Sequence, residues 1–166
     1  MPLAYIALGS NLGDRIGQMR QALQRLEATG RVRVVRASVV YQNRAVGMGA
    51  VAADFLNAVV EVRTALAPLE LLDACLDVEQ QLGRNRSGAG WTPRTIDLDV
   101  LIYDAVCLAE GRLLLPHPRI AERDFVAVPL AELIPTLKIN DRSLTEIVVA
   151  LSKKELAVYA ARLWPN

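Results

Sequence analysis

The hydrophobic and polar positions along the chain predict a strand, a helix, two strands, a second helix and a further strand, in that order. Strand segments are short apolar or alternating runs, whereas the helical segments repeat an apolar residue every three or four positions. The predicted elements are a strand over 5–8, a helix with the buried stripe Ile16, Met19, Leu23 and Leu26, strands over 32–41 and 55–64, a helix with the stripe Leu71, Cys75, Val78 and Leu82, and a strand over 96–102.

This order is the split βαβ arrangement of ferredoxin-like folds, so we expect an α/β (α+β) fold with an antiparallel sheet. The helices should pack on one face and leave the other face free for ligands. Beyond the last strand, Pro116, Pro118, Pro129 and Pro135 predict irregular C-terminal elements, with short helices over 125–133 and 144–151. On the third strand, Asn57 is a polar residue among apolar ones, on the face that also carries Phe55 and Val59.

The strand over 96–102 contains two carboxylates within an otherwise hydrophobic pattern. Alternation sends Asp97 and Asp99 to one face, and Ile96, Leu98, Val100 and Ile102 to the other. At about 3.3 Å per residue, the two Cβ atoms stand roughly 6.6 Å apart. Carboxylates at that spacing can share two divalent cations held about 3.5 to 4 Å apart. We therefore expect a two-metal site here, the alternative being a half-solvated strand that happens to carry acids.

The segment before this strand bears arginines at 84, 86 and 94, in a glycine-containing loop without acids. Planar guanidinium groups can grip phosphate oxygens with two hydrogen bonds, and a metal-bridged phosphate needs such positive partners. A solvated surface loop is the alternative. Trp91 in this loop is either an aromatic platform for a ring or a hydrophobic anchor, and position alone does not decide between them.

Composition narrows the function classes. A chain of 166 residues with 52% hydrophobic content suits one domain over 1–166, and its net charge of +1 argues against a nucleic-acid surface. The two cysteines are too few for a disulfide framework, which suits a cytoplasmic protein. Because no apolar run approaches about 20 residues, we expect no membrane span. We also expect a monomer.

The single histidine, His117, lies between two prolines and close in sequence to Arg112, Arg119 and Arg123. These neighbours predict phosphate contact, with His117 serving as a hydrogen-bond donor rather than a metal ligand. The long stretch 42–54 lacks clear periodicity, and either a lid over the site or a plain connection would account for it.

Five motifs follow one another along the chain: residues 4–13, residues 55–59, Glu79 with 82–84, residues 93–99 and residues 115–119. With these motifs in this order, the chain closely resembles the 6-hydroxymethyl-7,8-dihydropterin pyrophosphokinase family of folate biosynthesis, nearly from end to end. The resemblance implies a ferredoxin-like fold and a reaction in which ATP gives its terminal diphosphate to the pterin hydroxymethyl group, releasing AMP.

The resemblance also implies roles for individual residues. Asp97 and Asp99 correspond to the ligands of two Mg²⁺ ions, and together with Arg84 and Arg94 they form the catalytic set. The implied ATP-binding residues are Arg84, Arg86, Arg94, Arg112, His117 and Arg123. The implied pterin-binding residues are Asn43, Arg44, Val46, Phe55, Asn57, Trp91 and Phe125.

The chain departs from the family pattern in its loops: Trp91 stands between Gly90 and Thr92, and 41–47 lacks a Thr-Pro-Pro run. Two other functions therefore stay open. One is a ferredoxin-like module that binds a nucleotide or pterin without catalysis, and the other is a related pyrophosphokinase that uses a different alcohol. RNA binding fits poorly, since the chain has few aromatic residues.

Overall fold

A computed structural model of the protein describes residues 1–43, 54–83, 96–151 and 156–165. It contains four α-helices and ten strands within these ranges. In chain order they are β1 Leu3–Ser10, α1 Arg15–Ala28, β2 Val32–Ala37, β3 Tyr41–Asn43, β4 Phe55–Thr64, α2 Pro68–Gln81, β5 Asp97–Tyr103, β6 Leu108–Glu110, β7 Leu113–Leu115, α3 Asp124–Leu133, β8 Lys138–Ile139, β9 Arg142–Ser143, α4 Leu144–Ala150 and β10 Ala157–Val158.

Six strands form one antiparallel sheet, as expected. β1 pairs with β4 on one side and β5 on the other, while β2 and β3 both pair along the far side of β4. The single second strand predicted over 32–41 is thus two strands. The break falls at Ser38, whose backbone amide and hydroxyl both bond to the backbone of Val59 instead of continuing the ladder.

The inner face of the sheet, which carries Ile6, Leu8 and Leu98, packs against α1 and α2. Both helices bury the predicted stripes. α1 begins after Asp14, whose carboxylate accepts the amide hydrogen of Gly17 at 3.1 Å. α2 begins at Pro68, where a missing amide hydrogen costs nothing. The main hydrophobic core therefore lies between these helices and the sheet.

The outer face of the sheet is not free for ligands over its whole area, contrary to the prediction. It carries Asn57, Val59, Asp97 and Asp99. Helices α3 and α4 cover one half of it and form a second core, so the helices do not all pack on one face. This second core consists of Tyr5, Val59, Leu101, Ile102, Ile120, Val126, Ala127, Leu130, Leu133, Leu144 and Ile147. Among the described residues, α3 and α4 leave uncovered the other half of the outer face, near Asp97 and Asp99.

A shift in register between β1 and β5 explains a further correction. Ile6 pairs with Val100 but Tyr5 pairs with Ile102, so Leu101 is an extra residue on β5. Ile102 consequently joins the second core instead of lying with Leu98 and Val100. Asp97 and Asp99 precede the shift, and their alternation is intact.

The C-terminal third is more regular than predicted. Two hairpins, β6–β7 and β8–β9, accompany α3 and α4, and the two helices begin and end within one residue of the expected bounds. β10 pairs with β3, and Leu163 is buried in the main core. Within the described residues, no helix combines the length and the apolar character needed to cross a membrane.

Candidate active site

Asp97 and Asp99 occupy the start of β5, where both side chains are partly exposed and Leu98 between them is buried. The residues opposite them on β1 are small: Gly9 pairs with Asp97, and Ala7 pairs with Asp99. Two carboxylates on one face of a strand, above small neighbours, suit Mg²⁺, which is commonly held by one or two carboxylates plus waters and substrate phosphates. The described residues contain no group of three or more metal-ligating side chains.

A pair of amide side chains lies on the neighbouring strands. Gly9 pairs with Asn57 on β4, and the buried Asn57 donates its Nδ2 hydrogen to Oδ1 of Asn43 on β3. Phe55 pairs with Asn43 and is also buried. The sheet thus brings Asn43, Phe55 and Asn57 to the same end as the two acids.

Two hydrogen bonds, one from the backbone of His117 and one to its ring, fix the position of this residue. Its amide donates to the carbonyl of Leu101 at 2.8 Å, and its Nδ1 accepts the amide hydrogen of Arg119 at 3.1 Å. Because Nδ1 is an acceptor, the proton of the neutral imidazole lies on Nε2. Nε2 then carries the hydrogen that could be donated to a ligand, and the role of His117 in phosphate binding stays a prediction.

Electrostatics link His117 to the rest of the site. Burial lowers the pKa of His117, and the charges of Arg123 and Arg119 lower it further, while Asp97 opposes them. The structure therefore brings Asp97, His117 and the two arginines into one electrostatic environment, and the lowered pKa favours the neutral imidazole.

The start of α3 brings Arg123 and Phe125 to this group. The guanidinium carbon of Arg123 lies 5.8 Å from the centroid of the Phe125 ring, within the range of a cation–π contact. Phe125 is partly buried against the second core. One aromatic ring and one cation thus stand together at the end of the helix that meets the site.

Arg112 is placed differently. It lies in the turn of the β6–β7 hairpin, and its guanidinium donates to Asp73 on α2 at 2.9 Å. α2 packs on the inner face, so the contact observed for Arg112 is not with the group around Asp97. Both side chains are more than half exposed, and such a pair stabilises the fold little.

Comparison with known proteins decides the family. The model of the 7,8-dihydro-6-hydroxymethylpterin-pyrophosphokinase (HPPK) family matches residues 5–135. The chain belongs to the HPPK family. A relative from Methylorubrum extorquens, a 2-amino-4-hydroxy-6-hydroxymethyldihydropteridine pyrophosphokinase, is 43% identical over 152 residues, covering 91% of this chain and 94% of its own. A relative of the same name from Bacillus subtilis is 45% identical over 131 residues, or 79% and 77% of the two chains.

Solved structures agree on the fold. A crystal structure of Plasmodium falciparum HPPK-DHPS with pteroate superposes with a TM-score of 0.67 at 13% identity, covering 89% of this chain. An HPPK-DHPS in complex with substrates gives a TM-score of 0.66 over 90% of this chain. This HPPK chain spans less than half of either HPPK-DHPS chain, 44% and 43% respectively.

Six of the residues that the HPPK resemblance implies lie outside the described ranges. They are Arg44, Val46, Arg84, Arg86, Trp91 and Arg94. The described part of the site is therefore the part built on the sheet and on α3, with the two carboxylates and the amide groups on strands and the cation and ring at the helix start.

The HPPK chain also contains a buried acid to which the sequence reasoning gave no role. Glu79 on α2 is only 1% exposed, and its carboxylate accepts a long hydrogen bond, 3.5 Å, from the backbone amide of Leu98. Glu79 follows Cys75 by four residues and therefore lies on the buried face of α2. An acid on the apolar face of a predicted helix was the sequence feature that could have revealed it. Burial raises the pKa of the Cys75 thiol, and the charges of Glu79 and Asp99 raise it further. Glu79 thus supports the backbone between the two aspartates.

Proposed function

We propose that this chain transfers the terminal diphosphate of ATP to the hydroxymethyl group of 6-hydroxymethyl-7,8-dihydropterin and releases AMP. Membership in the HPPK family makes it a pyrophosphokinase of folate biosynthesis. The observation that carries the assignment of the site is the row across the sheet in which Asn57, Gly9 and Asp97 lie side by side. At one end of that row, the amide of Asn57 would bind the heterocycle, and at the other end the carboxylate of Asp97 would bind a metal ion.

We also propose the finer fold class, a ferredoxin-like domain over 1–166. The strand order β2–β4–β1–β5, with every neighbouring pair antiparallel, supports it. A monomeric state and a cytoplasmic location stay predictions from the sequence.

Asp97 and Asp99 are proposed to hold two Mg²⁺ ions. When bound, these ions offset the charge of the triphosphate and make the acceptor hydroxyl more acidic. The chain supplies both carboxylates from one strand, and Glu79 and β1 hold that strand on its two sides. A rigid strand keeps the two carboxylates at a set spacing, which is the main demand of such a site.

His117 and Arg123 are proposed to bind the triphosphate of ATP, together with Arg84, Arg86, Arg94 and Arg112. The Nε2 group of His117 and the guanidinium of Arg123 are both hydrogen-bond donors, and Arg123 lies close enough to His117 for its charge to lower the pKa of the imidazole. Charge-assisted hydrogen bonds to phosphate are strong. Arg112 would have to exchange Asp73 for a phosphate oxygen, which the weakness of an exposed ion pair allows.

The pterin is proposed to lie between the sheet and the start of α3. Asn57 and Asn43 offer amide hydrogen bonds to its polar edge, and the rings of Phe125 and Phe55 offer apolar surface. Arg44, Val46 and Trp91 are proposed as further pterin contacts.

In the proposed reaction, the hydroxymethyl oxygen attacks the β-phosphorus in line. A new oxygen–phosphorus bond forms, the bond from the β-phosphorus to the oxygen bridging the α-phosphate breaks, and AMP leaves. The residues of the chain act by positioning the two substrates. Asn57 orients the acceptor, and the arginines and His117 hold the triphosphate. No side chain is assigned as a general base.

The test is to mix the protein with ATP, MgCl₂ and 6-hydroxymethyl-7,8-dihydropterin and to measure AMP by chromatography. Pterin-dependent AMP is the expected result. Pterin binding without AMP would instead support a binding module, and AMP only with another alcohol would support a related pyrophosphokinase. Omitting Mg²⁺ should abolish AMP formation.

A further inference from the structure

Gly9 occupies the centre of the row that joins the two parts of the proposed site. On β1 it pairs with Asn57 of β4 on one side and with Asp97 of β5 on the other. Neighbouring strands lie about 4.8 Å apart, so Asn57 and Asp97 have Cα atoms about 10 Å apart, with Gly9 between them.

The backbone of Gly9 does not require glycine. The described glycines with positive φ are Gly13, Gly30 and Gly83, and Gly9 is not among them. A side chain at position 9 would instead be crowded by its neighbours. A Cβ built on Gly9 would lie 3.0 Å from Oδ1 of Asn57 and 4.0 Å from Cβ of Asp97. The first distance is tighter than ordinary contact, and the second is ordinary.

We propose that Gly9 determines acceptor specificity, because its missing side chain leaves the channel along which the alcohol arm of the acceptor reaches Asp97. The inference rests on the proposed function. A flat heterocycle whose edge is bonded to Asn57, and whose hydroxyl lies at the carboxylates, must cross the strand between them. That strand is β1, and the residue crossed is Gly9.

A side chain at position 9 acts on the two substrates unequally. It pushes against the amide of Asn57, which is buried and donates to Asn43, so the amide has little room to give way. The carboxylate of Asp97 lies beyond ordinary contact distance from the new methyl group and keeps its place. Acceptor binding should therefore weaken while binding of Mg²⁺ and nucleotide persists.

The experiment compares the wild-type protein with Gly9→Ala and Gly9→Val. Pterin binding is measured by calorimetry with Mg²⁺ and a non-hydrolysable ATP analogue present, and the analogue's own affinity is measured without pterin. We expect Gly9→Ala to weaken pterin binding by about tenfold, the size of one lost buried hydrogen bond. Gly9→Val should weaken it further, and the Kd of the ATP analogue should change less than about twofold.

Val62→Ala is the control for general damage, since Val62 is fully buried at the far end of β4. It should lower the melting temperature without changing the Kd of either ligand. Unchanged pterin affinity in both Gly9 variants, or an equal loss of pterin and nucleotide affinity, would overturn the proposal. Failure of the proposed function is distinct: the wild-type protein itself would then bind no pterin or make no AMP.

Discussion

The two halves of the outer face of the sheet share the same three strands and differ in almost everything else. In one half, Tyr5, Val59 and Leu101 lie under α3 and α4 in the second core. In the other half, two residues along each strand, are Ala7, Asn57 and Asp99. Large apolar side chains thus mark the covered half, which stabilises the fold, and small or polar side chains mark the half with the candidate site.

Helix α3 connects the halves. Its last turn is bonded to the sheet: the Leu133 carbonyl accepts from Arg36, and the Glu132 carboxylate accepts from the Val39 amide and the Tyr41 hydroxyl. Its first turn carries Phe125 at the site. Because α3 is one continuous helix from Asp124 to Leu133, the hydrogen bonds of its last turn in the covered half also help to position the ring at its other end.

The largest effect should come from the acids. Asp97→Asn and Asp99→Asn should each lower kcat by about a thousandfold or more, because an amide replaces a charged metal ligand. The melting temperature should hold or rise, as two like charges on one face repel. Steady-state AMP assays and thermal unfolding check this.

Asp104→Asn is the matched control for the acids, since Asp104 follows the far end of β5 and accepts a backbone hydrogen bond from Leu3. An asparagine oxygen can still accept that bond, and its activity should equal that of the wild-type protein. Activity retained in Asp97→Asn and Asp99→Asn would remove the contrast between the two halves.

The opposite pattern is expected in the covered half. Leu130→Ala removes a side chain that is fully buried in the second core and should lower the free energy of unfolding by about 2–5 kcal/mol. Activity per folded molecule should fall far less than in the aspartate variants. Urea unfolding and assays well below the melting temperature check this, and a loss of activity as deep as that of Asp97→Asn would contradict it.

A smaller effect is expected at Glu61, which accepts hydrogen bonds from Tyr5 and Arg36 in the covered half. Burial alone would raise the pKa of Glu61, but the hydrogen bonds from Arg36 and Tyr5 outweigh it and lower the pKa. Burial and Glu61 in turn raise the pKa of Tyr5 to about 12. Since Arg36 is 43% exposed, Glu61→Gln should cost only about 1–2 kcal/mol at neutral pH.

The sign of the pH dependence at Glu61 follows from its lowered pKa. The carboxylate stabilises the fold above its unfolded pKa, near 4.5, and this contribution is lost as the pH falls through the folded value. Urea unfolding at a series of pH values should therefore show a difference between wild type and Glu61→Gln that shrinks under acid conditions. A difference that grows in acid would be the contrary result.

The smallest effect is a titration shift. The ring of His117, the single histidine, should titrate below its ordinary pKa of 6.5 because of burial and of Arg123 and Arg119. Asp97 raises that pKa, so Asp97→Asn should lower it further. NMR titration of the histidine ring measures both, with Asp104→Asn as the control. An unchanged titration in Asp97→Asn would separate His117 from the acids.

Local patterns in the sequence predicted most of the elements and the acid pair. Helix stripes such as Leu71, Cys75 and Val78 repeat at the helical period, and Asp97 and Asp99 alternate with buried residues, so neighbouring positions suffice to find them. The role of Glu79 was missed, because its partner is a backbone amide on another element.

Errors arose where distant contacts override a local pattern. The alternation that placed Ile102 with Leu98 fails because pairing with β1 inserts an extra residue on β5. The break between β2 and β3 depends on hydrogen bonds from Ser38 to Val59 of β4. None of these contacts is visible in the residues that flank them.

By itself, the sequence determined the order of strands and helices, the stripes that form the main core, and the two carboxylates on one strand face, because each depends on spacing between near neighbours. Only the tertiary structure decided that α3 and α4 cover half of the outer face, and that Asn57, Gly9 and Asp97 stand in one row. Strand register and helix docking join residues far apart in the chain, and their free energy depends on surfaces that exist only once the chain has folded.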